Sequence, residues 1–142
     1  MTAEDELARR CATALLERDR AAQSLGITIV ESRAGFARLA MTISETMSMA
    51  HGIAHGGVLF TFADTAFGYA CNSRNICYVA LNASISFIAP ARLGDRLEAI
   101  GEERSMRGRT GVYDITITQT SGETVAIFRG TCYRIAGSVL SE

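Results

Sequence analysis

The 142-residue chain predicts an α+β fold in which a curved antiparallel β-sheet wraps around one long central helix, with a further helix at the N-terminus. The stretch from Gly56 to about Asn72 is apolar on every face, as in a buried helix. After residue 75 the pattern is of strands joined by short turns without crossover helices, which favours an antiparallel sheet. A helix of this kind is buried all round only if a curved sheet wraps it or a second subunit covers the remainder, and we expect both.

The N-terminal part predicts an amphipathic helix over residues 3–20. Thr2 is a plausible N-cap, and acidic residues in the first turn suit the helix dipole. Gly26 breaks the pattern. We therefore describe the chain as a single domain, with an N-terminal helical segment over 1–22 and a core over 23–142.

Six strands are predicted in the core, and they cover residues 27–32, 36–43, 78–89, 96–103, about 113–118 and 123–135. In the third of these strands an alternating pattern places one set of apolar residues on one face, namely Val79, Leu81, Ala83, Ile85 and Phe87. Pro90 ends that strand.

Composition excludes several classes of function. The formal net charge is -1 and the charges are scattered, so nucleic acid is not the expected partner. No apolar run reaches the ~18–20 residues that cross a bilayer, and the first residues do not resemble a secretory signal. The four cysteines form no C-x-x-C pair, so reduced thiols and a cytoplasmic location are expected.

His55, Gly56 and Gly57 come directly before the central helix. The first N–H groups of a helix have no partner within it, and glycine lets a ligand approach them closely. Such amides can stabilise a developing oxyanion. The alternative is a glycine turn at a helix start with no role in chemistry.

Asp64 is the one acid in the apolar helix. A buried carboxylate is costly unless it is paired or used, so it is either a functional acid or a structural one bonded to Thr61 or a strand. Eight residues of helix separate Gly56 from Asp64 by about 12 Å, too far for both to act on one carbonyl. If both serve one reaction, Asp64 comes from another copy of the chain, and the sequence predicts a dimer with two composite sites.

The remaining candidate site residues have weaker support. His51 and His55 have a metal-ligand spacing, but they flank a glycine turn and have no matching third ligand, so no metal site is predicted. Arg107 and Arg109 could hold a phosphate or could be solvated turn residues. Cys71 is expected to pack as a small hydrophobe.

Three motifs, HGGVLFTFADTAFGYACN, SISFIAPARLGD and RTGVYDITI, resemble the hotdog-fold acyl-CoA thioesterases. The resemblance runs from about Gly26 to Ile135 and is strongest to the PaaI type, the (hydroxy)phenylacetyl-CoA thioesterases of aerobic phenylacetate degradation. It implies the hotdog fold, dimers that usually pair into tetramers, and CoA thioester as substrate with no bound cofactor.

The resemblance also implies roles for single residues. The amide of Gly56 or Gly57 would polarise the thioester carbonyl, with His55 in the same motif. Asp64 of the facing subunit would activate water or attack the carbonyl directly. Candidate contacts to the substrate and its CoA phosphates are His51, Asn72, Arg107 and Arg109.

One position departs from the family. Related thioesterases usually have Asn six residues before the His of H-G-G, where it orients the thioester or the water, and here Met49 occupies that place. Methionine donates no hydrogen bond. Either His51 or Ser48 replaces it, or the local alignment shifts, or activity is reduced.

Two other functions are possible on this fold. A non-catalytic acyl-CoA sensor is one, although no helix-turn-helix accompanies the short N-terminal helix. Hydratase chemistry is the other, and it is disfavoured because no His follows Asp64 in the chain.

Overall fold

The computed structural model describes residues 1–141, so Glu142, the last residue of the predicted core, lies outside the described residues. The elements in chain order are α1 (Ala3–Arg18), α2 (Arg20–Ser24), β1 (Thr28–Arg33), β2 (Phe36–Thr42), α3 (Gly56–Cys71), β3 (Tyr78–Phe87), β4 (Arg96–Arg107), β5 (Thr110–Gln119) and β6 (Thr124–Arg134).

The strands form a six-stranded sheet in the order β1-β2-β4-β5-β6-β3, and each neighbouring pair is antiparallel. Helix α3 packs against strands β2 to β6. The predicted arrangement, a curved antiparallel sheet around one long helix with a helix before it, is therefore confirmed.

The N-terminal helix is shorter than predicted. Helix α1 ends at Arg18, and Asp19 begins the separate helix α2 by accepting a hydrogen bond from the Ala22 N–H at 3.1 Å. The single helix expected over 3–20 is thus wrong in its last two residues, because an aspartate that caps a new helix interrupts it. The predicted segment boundary at residue 22 falls inside α2.

The core lies between α3 and the sheet. Phe67 of α3 is buried against the rings of Tyr113 and Phe128, with centroid distances of 5.9 Å and 5.7 Å. Gly130 of β6 lies directly below, and a Cβ atom added there would stand 2.7 Å from the Phe67 ring. The absence of a side chain at Gly130 is what lets the ring, and with it the helix, settle onto the sheet.

The opposite side of α3 is open. Gly57 and Asp64 are exposed and Thr61 and Gly68 only partly buried, and their spacing places all four on one stripe of the helix. The expectation that α3 is buried on every face is therefore wrong for a single chain, because the sheet covers one side only. Within one chain this stripe therefore stays uncovered.

Strand β3 departs from the predicted alternation. The register shifts between Ala80 and Asn82, so Leu81 has no partner on β6 while Val79 pairs with Tyr133. Such a bulge moves the residues before it onto the other face. Ala83 and Ile85 pack on the core as predicted, but Val79 does not share their face.

Strand β3 is also an edge of the sheet. Three of its apolar side chains remain exposed: Val79 at 46%, Leu81 at 64% and Phe87 at 56% of full exposure. Natural proteins usually blunt or cover an edge of this kind. An exposed apolar edge strand is thus a second surface that a partner would cover.

None of the helices in the described residues has both the length and the apolar character needed to span a membrane.

The contact between Gly130 and Phe67 yields a stability test. Gly130→Ala forces the Phe67 ring into neighbouring core rings, and overpacking of this kind typically costs about 1–3 kcal/mol of unfolding free energy. Chemical denaturation of the purified protein measures the loss. Phe67→Leu supplies the control background, because it shortens the side chain that the new methyl group would meet. Gly130→Ala is expected to cost less in that background, and an equal loss in both backgrounds would contradict the packing described.

Candidate active site

The His-Gly-Gly turn is organised by the histidine. His55 is the N-cap of α3 with extended backbone (φ -66°, ψ 135°), and its ring Nδ1 accepts a hydrogen bond from the Gly57 N–H at 2.9 Å. Nδ1 is therefore unprotonated in this arrangement, and a neutral ring carries its proton on Nε2. The Gly57 N–H is thus already hydrogen-bonded to the His55 side chain.

The Gly56 amide is the free donor at this helix start. Val58 and Leu59 donate to the His55 carbonyl oxygen at 3.0 Å and 3.2 Å, and Gly57 donates to the His55 ring. Among the hydrogen bonds of the described residues, none is donated by the Gly56 N–H. Of the two predicted glycines, Gly56 is the one whose amide is available to a ligand.

An apolar cavity of about 400 Å³ opens beside Gly56. Its lining includes Met49, Leu59, Phe87 and Pro90. A Cβ on Gly56 would stand 3.1 Å from the Phe87 ring, so the glycine leaves the cavity open up to the backbone. A free N–H at the mouth of an apolar cavity is an arrangement suited to a carbonyl group attached to an apolar chain or ring.

Asp64 stands on the open stripe of α3, with its carboxyl group in a separate groove of about 310 Å³. No hydrogen bond to this carboxyl group occurs within the described residues. The Thr61 hydroxyl, one structural partner considered for it, donates instead to the Gly57 carbonyl oxygen at 3.0 Å. The structure therefore gives Asp64 no internal structural partner.

The pKa of Asp64 is raised above its ordinary value, mainly because the walls of the groove partly desolvate the carboxyl group and secondarily because the Asp19 carboxylate lies nearby. Both effects disfavour the charged form. A carboxyl group without a hydrogen-bond partner and with a raised pKa is well suited to accept a proton or to attack an electrophile.

The two groups cannot meet within one chain. Gly56 is the first residue of α3 and Asp64 the ninth, so the helix holds them about 12 Å apart. Both lie on the uncovered side of the same helix. A second copy packed antiparallel on this side would place the acid of one chain near the amide of the other.

The remaining predicted contacts lie at different places. His51 is exposed at the tip of a tight loop, in the left-handed region at φ 72°, and the loop is closed by the bond from Met49 N–H to the Ile53 carbonyl oxygen at 2.8 Å. The Ser48 hydroxyl donates to the Ser44 carbonyl oxygen. Of the two residues considered as replacements for the family's Asn, only His51 therefore has an uncommitted side chain.

Arg107 and Arg109 flank the turn between β4 and β5, and both are exposed. Asn72 lies at the C-terminal end of α3 and joins the helix to β3: its Oδ1 accepts from Tyr78 N–H at 2.9 Å and its Nδ2 donates to the Gly68 carbonyl oxygen at 2.8 Å. These two hydrogen bonds are enough to explain why an asparagine occupies position 72. A contact of Asn72 or of either arginine with substrate stays a prediction.

Cys71 and the pair His51 and His55 were the other candidates. Cys71 is buried with a raised pKa, as expected of a packed thiol. No group of three His, Cys, Asp or Glu side chains that could hold a metal ion occurs in the part of the chain that the structure describes. His51 and His55 therefore have no third partner there.

Comparison with known proteins decides the family. The model of the thioesterase superfamily matches residues 51–126, a span that includes both the His-Gly-Gly turn and Asp64. The acyl-coenzyme A thioesterase PaaI of Escherichia coli is 44% identical over 131 residues, or 92% of this chain and 94% of that protein. The chain belongs to the thioesterase superfamily.

Solved thioesterase structures agree with this assignment. The E. coli PaaI protein from the phenylacetic acid degradation operon superimposes with a TM-score of 0.93 at 43% identity, covering 94% of this chain and 97% of that one. A mutant of the phenylacetic acid degradation protein PaaI from Thermus thermophilus gives 0.79 at 33% identity, covering 82% and 100%. A hypothetical thioesterase solved with coenzyme A, from Streptococcus pneumoniae, gives 0.81 at 26%, covering 87% and 98%. The resemblance to the PaaI type is confirmed.

Sequence reasoning missed two residues of this thioesterase that lie in the Asp64 groove. Asp19 and Tyr69 both line it, and the Tyr69 hydroxyl donates to Asp19 Oδ2 at 3.1 Å. Asp19 had been included in a continuous helix, where its side chain would have been one of several solvated charges. The signal that could have identified Asp19 was a residue type favoured at N-caps, followed by a second short helical stretch.

The histidine cap can be tested apart from activity. His55→Ala removes the acceptor of the Gly57 N–H, and loss of an N-cap typically costs about 1 kcal/mol of unfolding free energy. Chemical denaturation measures the change. His55→Asn supplies another strong N-cap and is expected to keep most of the stability; a His55→Ala protein as stable as the wild type would refute the capping role.

Proposed function

We propose that this protein hydrolyses acyl-CoA thioesters to the free acid and CoA, and that its active sites are composite, with each formed by two copies of the chain. The observation that carries the proposal is the pairing of an unpartnered Gly56 amide beside an apolar cavity with an unpartnered Asp64 carboxyl group, which lies about 12 Å further along the same helix on its open stripe.

Each group has one part in the reaction. The Gly56 N–H of one subunit donates to the thioester carbonyl oxygen and stabilises the negative charge that develops on it. Asp64 of the other subunit either takes a proton from the attacking water or attacks the carbonyl carbon itself. In the first route the thiolate of CoA leaves and the acyl group ends as a carboxylic acid. In the second, loss of the thiolate leaves a mixed anhydride between the acyl group and Asp64, and water then cleaves it to the free acid and the Asp64 carboxylate.

The proposed dimer has two supports in the chain. The open stripe of α3 carries Gly57 and Gly68, where a second helix can approach closely. The exposed apolar edge of β3 can pair with the same edge of another copy, which would extend the sheet across both subunits. A two-fold symmetric dimer would cover the α3 stripe and the β3 edge at the same time.

An aryl-acetyl group, phenylacetyl or a hydroxylated form of it, is the acyl group we propose. Two relatives carry names that refer to phenylacetic acid degradation, and the cavity beside Gly56 is apolar and includes the Phe87 ring. We further propose that Arg107, Arg109 and His51 contact the CoA portion, since all three are exposed, that no cofactor is needed, and that neither nucleic acid nor membrane is a partner.

Assembly and location follow as further parts of the proposal. The outer face of the sheet carries Val79, Ile127 and Tyr133, each exposed by 40% or more, and we propose that dimers pair into tetramers over such apolar surface. We place the enzyme in the cytoplasm, because its four cysteines are free thiols and thiols stay reduced there.

A second candidate, acyl-CoA binding without hydrolysis, is favoured by one observation. Met49 lines the cavity at Gly56 and is half exposed, and it offers no hydrogen-bond donor to orient water or thioester. Binding of acyl-CoA together with no release of thiol would support this candidate.

The acid is tested by thiol release. Wild type is expected to hydrolyse phenylacetyl-CoA and 3-hydroxyphenylacetyl-CoA faster than straight-chain acyl-CoAs of similar size. Asp64→Asn is isosteric but neither nucleophilic nor basic, so kcat is expected to fall at least about 100-fold. Hydrolysis by Asp64→Asn at the wild-type rate would remove the acid from the mechanism.

The amide is tested by substituting its nitrogen. Gly56→Pro removes the N–H at the first helical position, where proline is favoured, and the extended backbone of His55 suits a following proline. Loss of one oxyanion donor is expected to lower kcat about 10²–10³-fold.

Gly56→Ala is the matched control for this substitution, because it adds the same Cβ against the half-exposed Phe87 ring but keeps the N–H. Equal loss in the proline and alanine variants would show that crowding, and not the missing donor, lowers the rate.

A further inference from the structure

Asp19 is held rigidly at the corner between α1 and α2. Its Oδ1 accepts the Ala22 N–H at 3.1 Å and its Oδ2 accepts the Tyr69 hydroxyl at 3.1 Å. The first bond ties the carboxylate to the start of α2, and the second ties it to α3. Both oxygens are therefore occupied, and the charge cannot rotate away from the central helix.

The same groove contains Asp19 and Asp64. Its wall is formed by Leu15 and Ala21 from the N-terminal helices and by a run of α3 that includes Asp64, Gly68 and Tyr69. Tyr69 comes five residues after Asp64 on α3, so the bond to its hydroxyl fixes the position of Asp19 relative to Asp64. The N-terminal helices thus add a second carboxylate to the surroundings of the proposed catalytic acid.

The groups around Asp64 leave this charge uncompensated within the chain. Asp19, Asp64 and Tyr69 are the titratable residues that line the groove. The guanidinium of Arg18 on α1 donates to the Ala14 and Val139 carbonyl oxygens, and that of Arg20 on α2 donates to the Gln23 side-chain oxygen. No salt bridge in the described residues includes Asp19 or Asp64.

The strands that pack against the buried face of α3 also carry titratable groups, and these lie toward the C-terminal end of the helix. Tyr113 donates to Glu103, which pairs with Arg74, and Cys132 lies beside Cys71. Among these groups, Cys71 is the one whose pKa the charge of Asp64 helps to raise. Within the described residues, no salt bridge joins Asp64 to a cation on these strands.

We propose that Asp19 is a positioning residue for thioester hydrolysis: its fixed negative charge makes the Asp64 carboxylate a stronger base or nucleophile. This inference rests on the proposed function. It also assigns the N-terminal segment a part in the chemistry, because the α1–α2 corner supplies the charge.

The argument holds for either route of hydrolysis. Whether Asp64 takes a proton or attacks carbon, negative charge leaves its carboxylate in the transition state and appears on the thioester oxygen at the partner's amide. A neighbouring fixed anion therefore destabilises the ground state more than the transition state, and only such a difference raises kcat. The raised pKa of Asp64, to which Asp19 contributes, agrees with this arrangement.

The pH dependence of hydrolysis tests the inference. Activity needs ionised Asp64, so kcat falls as the pH drops through its pKa. Asp19→Asn keeps the N-cap and the shape but removes the charge, which lowers the pKa of Asp64 and moves the acid limb of the kcat profile to lower pH. Above the limb, kcat is expected to fall by a few-fold because the carboxylate is a weaker base.

Three controls accompany this variant. Asp19→Ser is a second neutral capping residue and is expected to move the limb in the same direction. Glu17→Gln removes an equal charge from exposed α1 outside the groove and leaves the limb in place. Titration of isotope-labelled aspartate carboxyl carbons by NMR, with Asp64→Asn to assign the signal, reports the pKa of Asp64 without any activity.

The outcomes separate the inference from the proposed function. An acid limb and an Asp64 signal that titrate at lower pH in both Asp19 variants, with Glu17→Gln unchanged, support it. Unchanged titration in the Asp19 variants overturns it, whatever the rate. If Asp64→Asn were inactive in that case, the proposed function would stand alone; an active Asp64→Asn would remove both.

Discussion

The rise of one straight helix is the constraint on which the rest of this protein depends. Helix α3 carries a free amide at its first residue and an unpartnered acid at its ninth, and the sheet packs it so firmly through Phe67 that the two cannot approach each other. Two groups that are complementary in chemistry but about 12 Å apart have a use only if another copy of the helix lies alongside. In the proposed mechanism dimerisation is therefore a condition of catalysis.

The uncovered surfaces of the chain follow from the same constraint. A sheet that buried α3 completely would also exclude the substrate, so one stripe of the helix stays open and the acid keeps access to solvent. Burial of part of the groove and the fixed charge of Asp19 then raise the pKa of Asp64. A carboxylate at such a site is more basic, as the proposed hydrolysis requires, and the cost in folding free energy is limited because the group is only partly desolvated.

Much of this could be predicted from the sequence, because the strongest signals were local. The continuous apolar run from Gly56 gave the helix to within one residue, and the turn residues gave every strand. Contacts over long distances were less accessible: the bulge at Leu81 depends on pairing with β6, and the place of Asp19 in the Asp64 groove depends on its bond to Tyr69. The choice of Gly56 over Gly57 as the free amide depended on the ring rotamer of His55, which no pattern of residue types encodes.

Subunit complementation measures the composite site most directly. Asp64→Asn and Gly56→Pro each damage both sites of a homodimer, but a mixed dimer pairs the intact acid of one chain with the intact amide of the other at one of its two sites. After the two inactive variants are dissociated together and reassociated in equal amounts, thiol release is expected to return to about a quarter of the wild-type rate, the share of intact sites in a random mixture of two-fold dimers. A mixture that stays as inactive as its two components would contradict the account.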